Sequence, residues 1–205
     1  MALWVEKATD NIILAAREEF MRYGYLDASI RRRIADKANT SAKSIYTRFS
    51  NKEGLFEYFV KEQAEFFING VAKNLTEFSS HTREDQINSR KENGNDLSNS
   101  LLEYVYDNFD AFYLIICKSK GTHYEGFIEQ LATLETEYTL KYMTTIETEK
   151  TGLPKITEEF VHMMSRSFFE GFFEMVRHKF DREKAREHIK KLLLFHNSGW
   201  EKFLF

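Results

Sequence analysis

A single proline in 205 residues is the tightest constraint on how this chain can fold. Sandwiches and barrels need frequent turn residues, and one Pro with nine Gly supplies too few. Helices joined by short breaks remain, and the apolar spacing agrees with them. Ile13, Ala16, Phe20 and Tyr23 recur at three- and four-residue steps, one face of a helix over about 10 to 23. Gly24 follows, where a left-handed residue closes a helix. Ser29 is an N-cap for a helix with Ile30, Ile34, Ala35 and Ala38 inward. Asn39-Thr40-Ser41 ends that helix and caps a short one over 41 to 48, with Ile45 and Phe49 inward. Ser50-Asn51-Lys52-Glu53 has capping-box spacing, Ser50 as N-cap and Glu53 at N3. It predicts a long helix over 52 to 78 that buries Leu55, Phe59, Phe66 or Phe67, and Val71.

Charge divides the chain. The net charge is −3, yet residues 25 to 52 carry seven basic side chains against two acidic ones, +5, leaving −8 elsewhere. The basic block holds Arg31, Arg32, Arg33, Lys37, Lys43, Arg48 and Lys52. It surrounds a helix, a three- to four-residue turn and a second short helix, the helix-turn-helix arrangement. The second helix exposes Ala42, Lys43, Ser44, Tyr46 and Thr47, types that enter a groove. Ser29, Tyr46 and Lys52 stand at helix ends or edges, where phosphates are bound. With Thr40 and Ser41 these residues form the expected DNA-binding set.

The series Ile13-Leu14-x-Ala16-x-x-x-Phe20-x-x-x-Gly24-Tyr25, Ser29-Ile30-x-x-Ile34-Ala35-x-x-Ala38 and Ser41-x-x-Ser44-Ile45-Tyr46-x-x-Phe49-x-x-Lys52-Glu53-x-Leu55 resembles the TetR family of bacterial transcription regulators. The resemblance covers roughly residues 7 to 60. It implies an all-α fold: a three-helix DNA-binding head over 1–51, then a ligand-binding and dimerisation domain over 52–205, with 52–78 as connecting helix. It also implies a ligand-responsive regulator, a repressor on a near-palindromic operator, released by a small effector. The partners implied are double-stranded DNA, a small molecule and a second copy of the chain. Three positions depart from the family pattern. Asn39 and Lys43 stand where Gly is frequent, and Asp10 where Arg is frequent. Asn39 tolerates a left-handed backbone, so the turn is expected to survive.

Beyond the head, the polar residues 79 to 96 read as a connector. Phe112 to Cys117 and an amphipathic run over about 122 to 150 follow, then a break at Thr151-Gly152-Leu153-Pro154. Thr157 and Asp181 are caps for two last helices. The first of them carries six Phe between 160 and 180, with Met163, Met164, Met175 and Val176, on more than one face. A helix apolar nearly all round needs burial on several sides, which a dimer interface provides. Ser167 and Gly171 are small enough for close approach; with Phe172, Ile189, Leu192, Leu193 and His196 they form the expected interface. These segments resemble the paired C-terminal helices through which TetR-family members dimerise. Tyr and Phe crowd residues 104 to 142, and an effector pocket is implied with Phe109, Phe112, Ile116, Phe127 and Phe168 as lining. An aromatic, weakly polar or cationic effector suits such a lining.

Several functions are excluded. The six His are scattered without HExxH or paired-ligand spacing, and no Gly-rich phosphate loop or nucleophile elbow occurs. An enzyme, a metal site and a cofactor are therefore not expected. Cys117 follows Leu114-Ile115-Ile116 and reads as a buried thiol. No apolar run reaches the roughly 18 residues of a membrane span, and one Cys excludes a disulfide framework, so a cytoplasmic protein is expected. The second reading is a helical small-molecule binding or scaffold protein without DNA binding, which Asp10 and the acidic body favour.

Overall fold

The structure, a computed structural model, describes residues 2–146 and 155–204, with side chains from residue 8 onward. Every regular element among the described residues is helical. In chain order they are α1 (Ala2–Asp27), a π-helical turn (Ile30–Ile34) running into α2 (Ala35–Lys37), α3 (Ala42–Phe49) and α4 (Lys52–Ser79). Then come α5 (Arg83–Asp107), α6 (Phe109–Lys118), a 3₁₀ turn (His123–Gly126), α7 (Phe127–Ile146), α8 (Glu158–Arg177) and α9 (Arg182–Leu204). No helix among the described residues is long and apolar enough to cross a membrane. The break expected at Thr151-Gly152-Leu153-Pro154 and the end of the run to 150 lie outside the described residues.

The chain forms two compact units, residues 1–65 with 110–125, and 66–109 with 126–205. In the first, Ile12, Ala16, Phe20, Ile34, Ile45, Leu55 and Phe56 are sealed from solvent. Phe56 meets Phe20 edge-on at 5.1 Å and Tyr25 at 5.5 Å. The buried stripe of α1 is shifted from the expected one: Ile12, Ala15, Ala16, Glu19 and Phe20 face inward, Ile13 is half-buried and Tyr23 is 40% exposed. Glu19 holds a place in that stripe because its carboxylate is satisfied. It accepts the Ser29 backbone N–H at 2.8 Å and Arg33 Nε at 2.6 Å. Such bonds are what let a charged group stay inside. Gly24 interrupts α1 at φ 75°, ψ 172°, a backbone reserved for glycine.

The start of α4 differs from the predicted capping box. Ser50 takes a positive φ of 62°, and Asn51 is the cap, its Oδ1 accepting the Gly54 N–H at 2.7 Å. Asn is as good an N-cap as Ser, and the tight turn leaves Ser50 outside the helix. Gly54 is required here, since a Cβ would collide with the backbone carbonyl of Phe49.

The second unit buries Phe67, Leu102, Val105, Leu131, Val161, Phe172, Phe173, Met175 and Ile189. The polar segment 79 to 96 is helical rather than a connector: only a brief turn separates α4 from α5, which Thr82 caps by accepting the Asp85 N–H at 3.2 Å. Its polar residues have inward work. Gln86, 2% exposed, donates to the carbonyls of Ser79 and His81 at 3.3 and 2.8 Å, and Asn93 exchanges two 3.1 Å hydrogen bonds with Asn74. The last two helices start as the caps predict. Thr157 accepts the Phe160 N–H at 3.3 Å, and Asp181 accepts the Lys184 N–H at 2.8 Å. Cys117 is exposed, because helix α6 turns Leu114 and Ile115 inward and carries the next residues out.

Candidate nucleic-acid interface and ligand cavity

Eight residues of α3 are held by their own caps. Ser41 Oγ accepts the Ser44 N–H at 3.1 Å, and Thr47 Oγ1 donates to the Lys43 carbonyl at 2.9 Å. Ile45 is sealed beneath, while Ser41, Lys43, Tyr46 and Thr47 are exposed, Ala42 and Ser44 half-buried. Arg48 fixes the helix from below, donating to the Ser44 hydroxyl at 2.6 Å, the Ser44 carbonyl at 3.0 Å and Thr9 Oγ1 at 3.1 Å. The preceding turn closes through Asn39 at φ 49°, with the Thr40 N–H on the Ala35 carbonyl at 3.0 Å. Asn accepts this left-handed backbone readily. Ser29 caps the π turn, accepting the Arg32 N–H at 3.3 Å.

The seven cations of the basic block fall into two groups. Four are engaged: Arg33 by Glu19 and the Tyr23 ring, Lys37 by Glu18, Arg48 as above, and Lys52 by the Leu26 carbonyl at 3.1 Å and the Tyr25 ring at 4.7 Å. Burial draws the Lys52 ammonium below its ordinary range, against the pull of Asp27 and Glu19. The side chains of Arg31, Arg32 and Lys43 make no hydrogen bond or ion pair among the described residues, and all three are exposed. Composition signalled the block; which members stay free depends on where Glu18, Glu19 and the carbonyls fall.

Among the described residues, two hollows of the second unit stand out. A cavity of about 170 Å³ lies among α4, α5, α7, α8 and α9, walled by aromatic rings, Phe67, Phe78, Phe168, Phe172 and Trp200 among them. Its polar lining includes Asn74, Asn93 and Arg90 together with Glu135 of α7. No hydrogen bond or ion pair holds Glu135 among the described residues, and burial pushes its carboxyl up to about 7. The other hollow is an open groove of about 890 Å³ over α8 and α9, lined by Phe160, Met164, Leu194, Phe195 and Phe203. Leu194 and Phe195 are 69% and 77% exposed.

Residues 12–59 match the family model described as bacterial regulatory proteins, tetR family. The head is therefore similar to that of TetR-family regulators. Three solved structures share the fold of nearly the whole chain. NalD of Pseudomonas aeruginosa, the secondary repressor of the MexAB-OprM multidrug efflux pump, is 19% identical, with 93% of this chain and 95% of that one covered, at a TM-score of 0.56. A candidate TetR-family regulator of Mesorhizobium loti is 18% identical over 95% and 96% of the two chains, TM-score 0.54. The TetR-family regulator PfmR of Thermus thermophilus is 17% identical over 89% and 96%, TM-score 0.51. No curated protein matches the chain significantly. The TetR-type match over residues 12–59 and the all-helical fold support a DNA-binding transcriptional regulator.

Around the TetR-type head the predicted residues are dispersed unevenly. Ser41, Ala42, Lys43, Ser44, Tyr46 and Thr47 share α3, with Thr40 just before it, whereas Ser29 and Lys52 serve as cap and carbonyl partner nearby. Of the five aromatic and apolar residues expected around a ligand, Phe168 lines the cavity. Phe127 packs on Phe67 and Phe173 at 5.9 and 5.8 Å, Phe109 on Tyr106 at 5.5 Å, and Phe112 and Ile116 belong to the first unit. Of the residues expected at a dimer interface, Ser167 and His196 line the groove, while Phe172, Ile189 and Leu193 are buried within the protomer. Gly171 faces its own chain: a Cβ there would stand 2.9 Å from Leu192 Cδ1, and His188 Nε2 donates to its carbonyl at 2.7 Å. The exposed pair Leu194 and Phe195 escaped the sequence reading because helical period alone does not say which of two apolar stripes is already covered.

Proposed function

We propose that this protein is a ligand-responsive transcriptional repressor that binds a near-palindromic operator as a homodimer and releases it on binding a small molecule. The observation that carries the reading is the set of uncommitted cations, Arg31, Arg32 and Lys43, around an α3 whose fold is already satisfied by Ser41 and Arg48. Free cations beside a rigid, exposed helix suit contact with phosphates and base edges without rearrangement. In this reading Lys43, Ser44 and Thr47 lie nearest the bases, with Thr40, Ser41 and Ala42 at the groove-facing end. Ser29, Tyr46 and Lys52 set the head on the backbone, Lys52 and Ser29 through the local structure they stabilise. A dimer would present two such helices about 34–36 Å apart, one duplex turn.

The second copy is assigned to the α8–α9 groove. Leu194 and Phe195, exposed at the groove that Phe160, Met164 and Phe203 also line, form an apolar face, and such faces mark protein contacts. The effector is assigned to the cavity walled by Phe67, Phe168 and Trp200. The repressor seen in NalD, similar in fold, is consistent with the sign of the response. A ligand releases DNA only if it binds the two conformations with different affinity, and α4, which has residues in both units, is the continuous element through which that difference is carried. The reading places the protein in the cytoplasm.

Fluorescence anisotropy with the DNA upstream of the protein's own coding region tests the reading. Binding should weaken steeply with salt, by about 0.9 log unit per log unit of salt for each phosphate contact. Lys43→Ala should weaken operator binding roughly 10-fold and relax sequence choice. Salt-independent binding, or unchanged affinity and selectivity in Lys43→Ala, would remove α3 from the interface.

A further inference from the structure

Glu135 is in a costly position. Its carboxyl faces a cavity lined by rings from three helices: Phe67 and Phe78 of α4, Phe168 and Phe172 of α8, and Trp200 of α9. No protein donor or cation pairs with it among the described residues, and desolvation is the only influence on its ionisation. Glu135 is half-buried at this wall, and leaving a partly desolvated carboxylate without a partner is unfavourable. Asn74 and Asn93 of the lining form a reciprocal amide pair, and Asn197 donates to Asn95 at 3.3 Å. Arg90 of the same lining acts electrostatically on Tyr142 and Glu201 rather than on Glu135. An anion entering the cavity would meet Glu135 as a like charge, and a neutral molecule would leave its carboxylate without a partner.

Carboxylate and ring faces together are complementary to a positive charge on an apolar body. The volume sets the size. A cavity of about 170 Å³ is close to the roughly 150 Å³ that holds benzene in a protein interior. We infer that the cavity takes a compact organic monocation, an amine or quaternary ammonium attached to a single small ring, with Glu135 as its counter-ion. This rests on the reading of the cavity as the effector site and narrows it to one charge and one size class.

The ionisation behaviour provides a signature that packing alone would not. An occupied site stabilises the Glu135 carboxylate, so cation affinity falls as pH drops through the free carboxyl's value near 7. The ionisable groups lining the cavity are Glu135 on α7, Arg90 on α5 and His196 on α9; α4 and α8 contribute none. Burial lowers His196 below its ordinary value, so its charging falls on the acid side of the Glu135 transition.

Calorimetric titration of the full chain with phenyltrimethylammonium, whose charge is independent of pH, and with its uncharged isostere tert-butylbenzene tests the inference. Wild type should bind the cation at least about 10-fold more tightly than the isostere at about pH 8, the scale of a desolvated cation–π and ion pair. Cation affinity should fall about 30-fold by about pH 5.5, following the ionised fraction of the carboxyl. Glu135→Gln should abolish both the preference and the pH dependence, and His196→Gln should keep the midpoint. The wild-type pH profile stands as the test should Glu135→Gln fold poorly. Equal affinity for the two probes, or a pH-independent cation affinity, would overturn the charge assignment while leaving the cavity as a ligand site. Failure of both probes to bind would overturn the cavity reading with it.

Discussion

Helices α8 and α9 border two hollows of opposite character, and Met164, His196 and Trp200 belong to the walls of both. The cavity is small, contains a carboxyl and amides, lies among five helices and is walled by rings from three of them. The groove is five times larger, open, and bordered by Leu194 and Phe195, both largely exposed in the protomer. A polar group within an apolar enclosure selects among small molecules; a broad apolar face selects for another protein surface. Under the proposed function, the same aromatic richness would serve two purposes at one helix pair. Composition alone could not assign them.

Substitutions separate the two sides. Phe172→Ala, on the buried side at 1% exposure, should cost about 3–5 kcal/mol of folding stability. Denaturant melts would show it, and a loss under about 1 kcal/mol would mean this face is not packed as described. Phe195→Asp, on the exposed side, should leave protomer stability nearly intact and weaken dimerisation by about 2 kcal/mol or more, roughly 30-fold. Sedimentation would then report monomer at micromolar concentrations where wild type is dimeric. A Phe195→Asp protein still dimeric there would exclude the groove as the interface.

The smallest effect concerns Glu135. Its folded-state carboxyl lies near 7, above the ordinary 4.5 of an unfolded chain. Stability from the protonated form is therefore complete below about 4.5 and is lost as pH rises through about 7. Glu135→Gln escapes that loss. Its melting temperature should exceed wild type by about 2–4 °C at about pH 8 and match it at about pH 4, the scale of about 1 kcal/mol in a chain this size. Identical melting at both pH values would show that the carboxyl is better solvated than its enclosure indicates.

The all-helical fold was readable because punctuation and apolar period agree: Thr157 and Asp181 begin α8 and α9 where their sequence positions require. The family was readable in the head because its residues are ordered by local geometry, from Phe20 to Leu55. The polar stretch 79 to 96 misled for an intelligible reason. Polar residues at helical spacing look like a solvated loop until their surroundings are known: Arg90, Asn93 and Gly94 line the cavity, and Gln86 is buried on the carbonyls of Ser79 and His81. Glu135 was invisible for the same reason. In sequence it sits between Leu134 and Thr136 in a run carrying other acidic residues, and only the placement of α4, α8 and α9 distinguishes it from Glu137, which pairs with Lys141 at 2.6 Å on the surface. The Asn51 cap depended on one backbone torsion at Ser50, a quantity that residue type leaves open.

Trp200 adds an optical consequence to the shared wall. The chain has two tryptophans, Trp4 at its start and Trp200 between groove and cavity. In a Trp4→Phe background every indole photon originates at that wall. Covering the groove would move the emission to shorter wavelength as water leaves the ring, and the shift would track protein concentration. Filling the cavity would alter the intensity at fixed concentration. One native chromophore thus distinguishes assembly from ligand entry in a single titration, without a label.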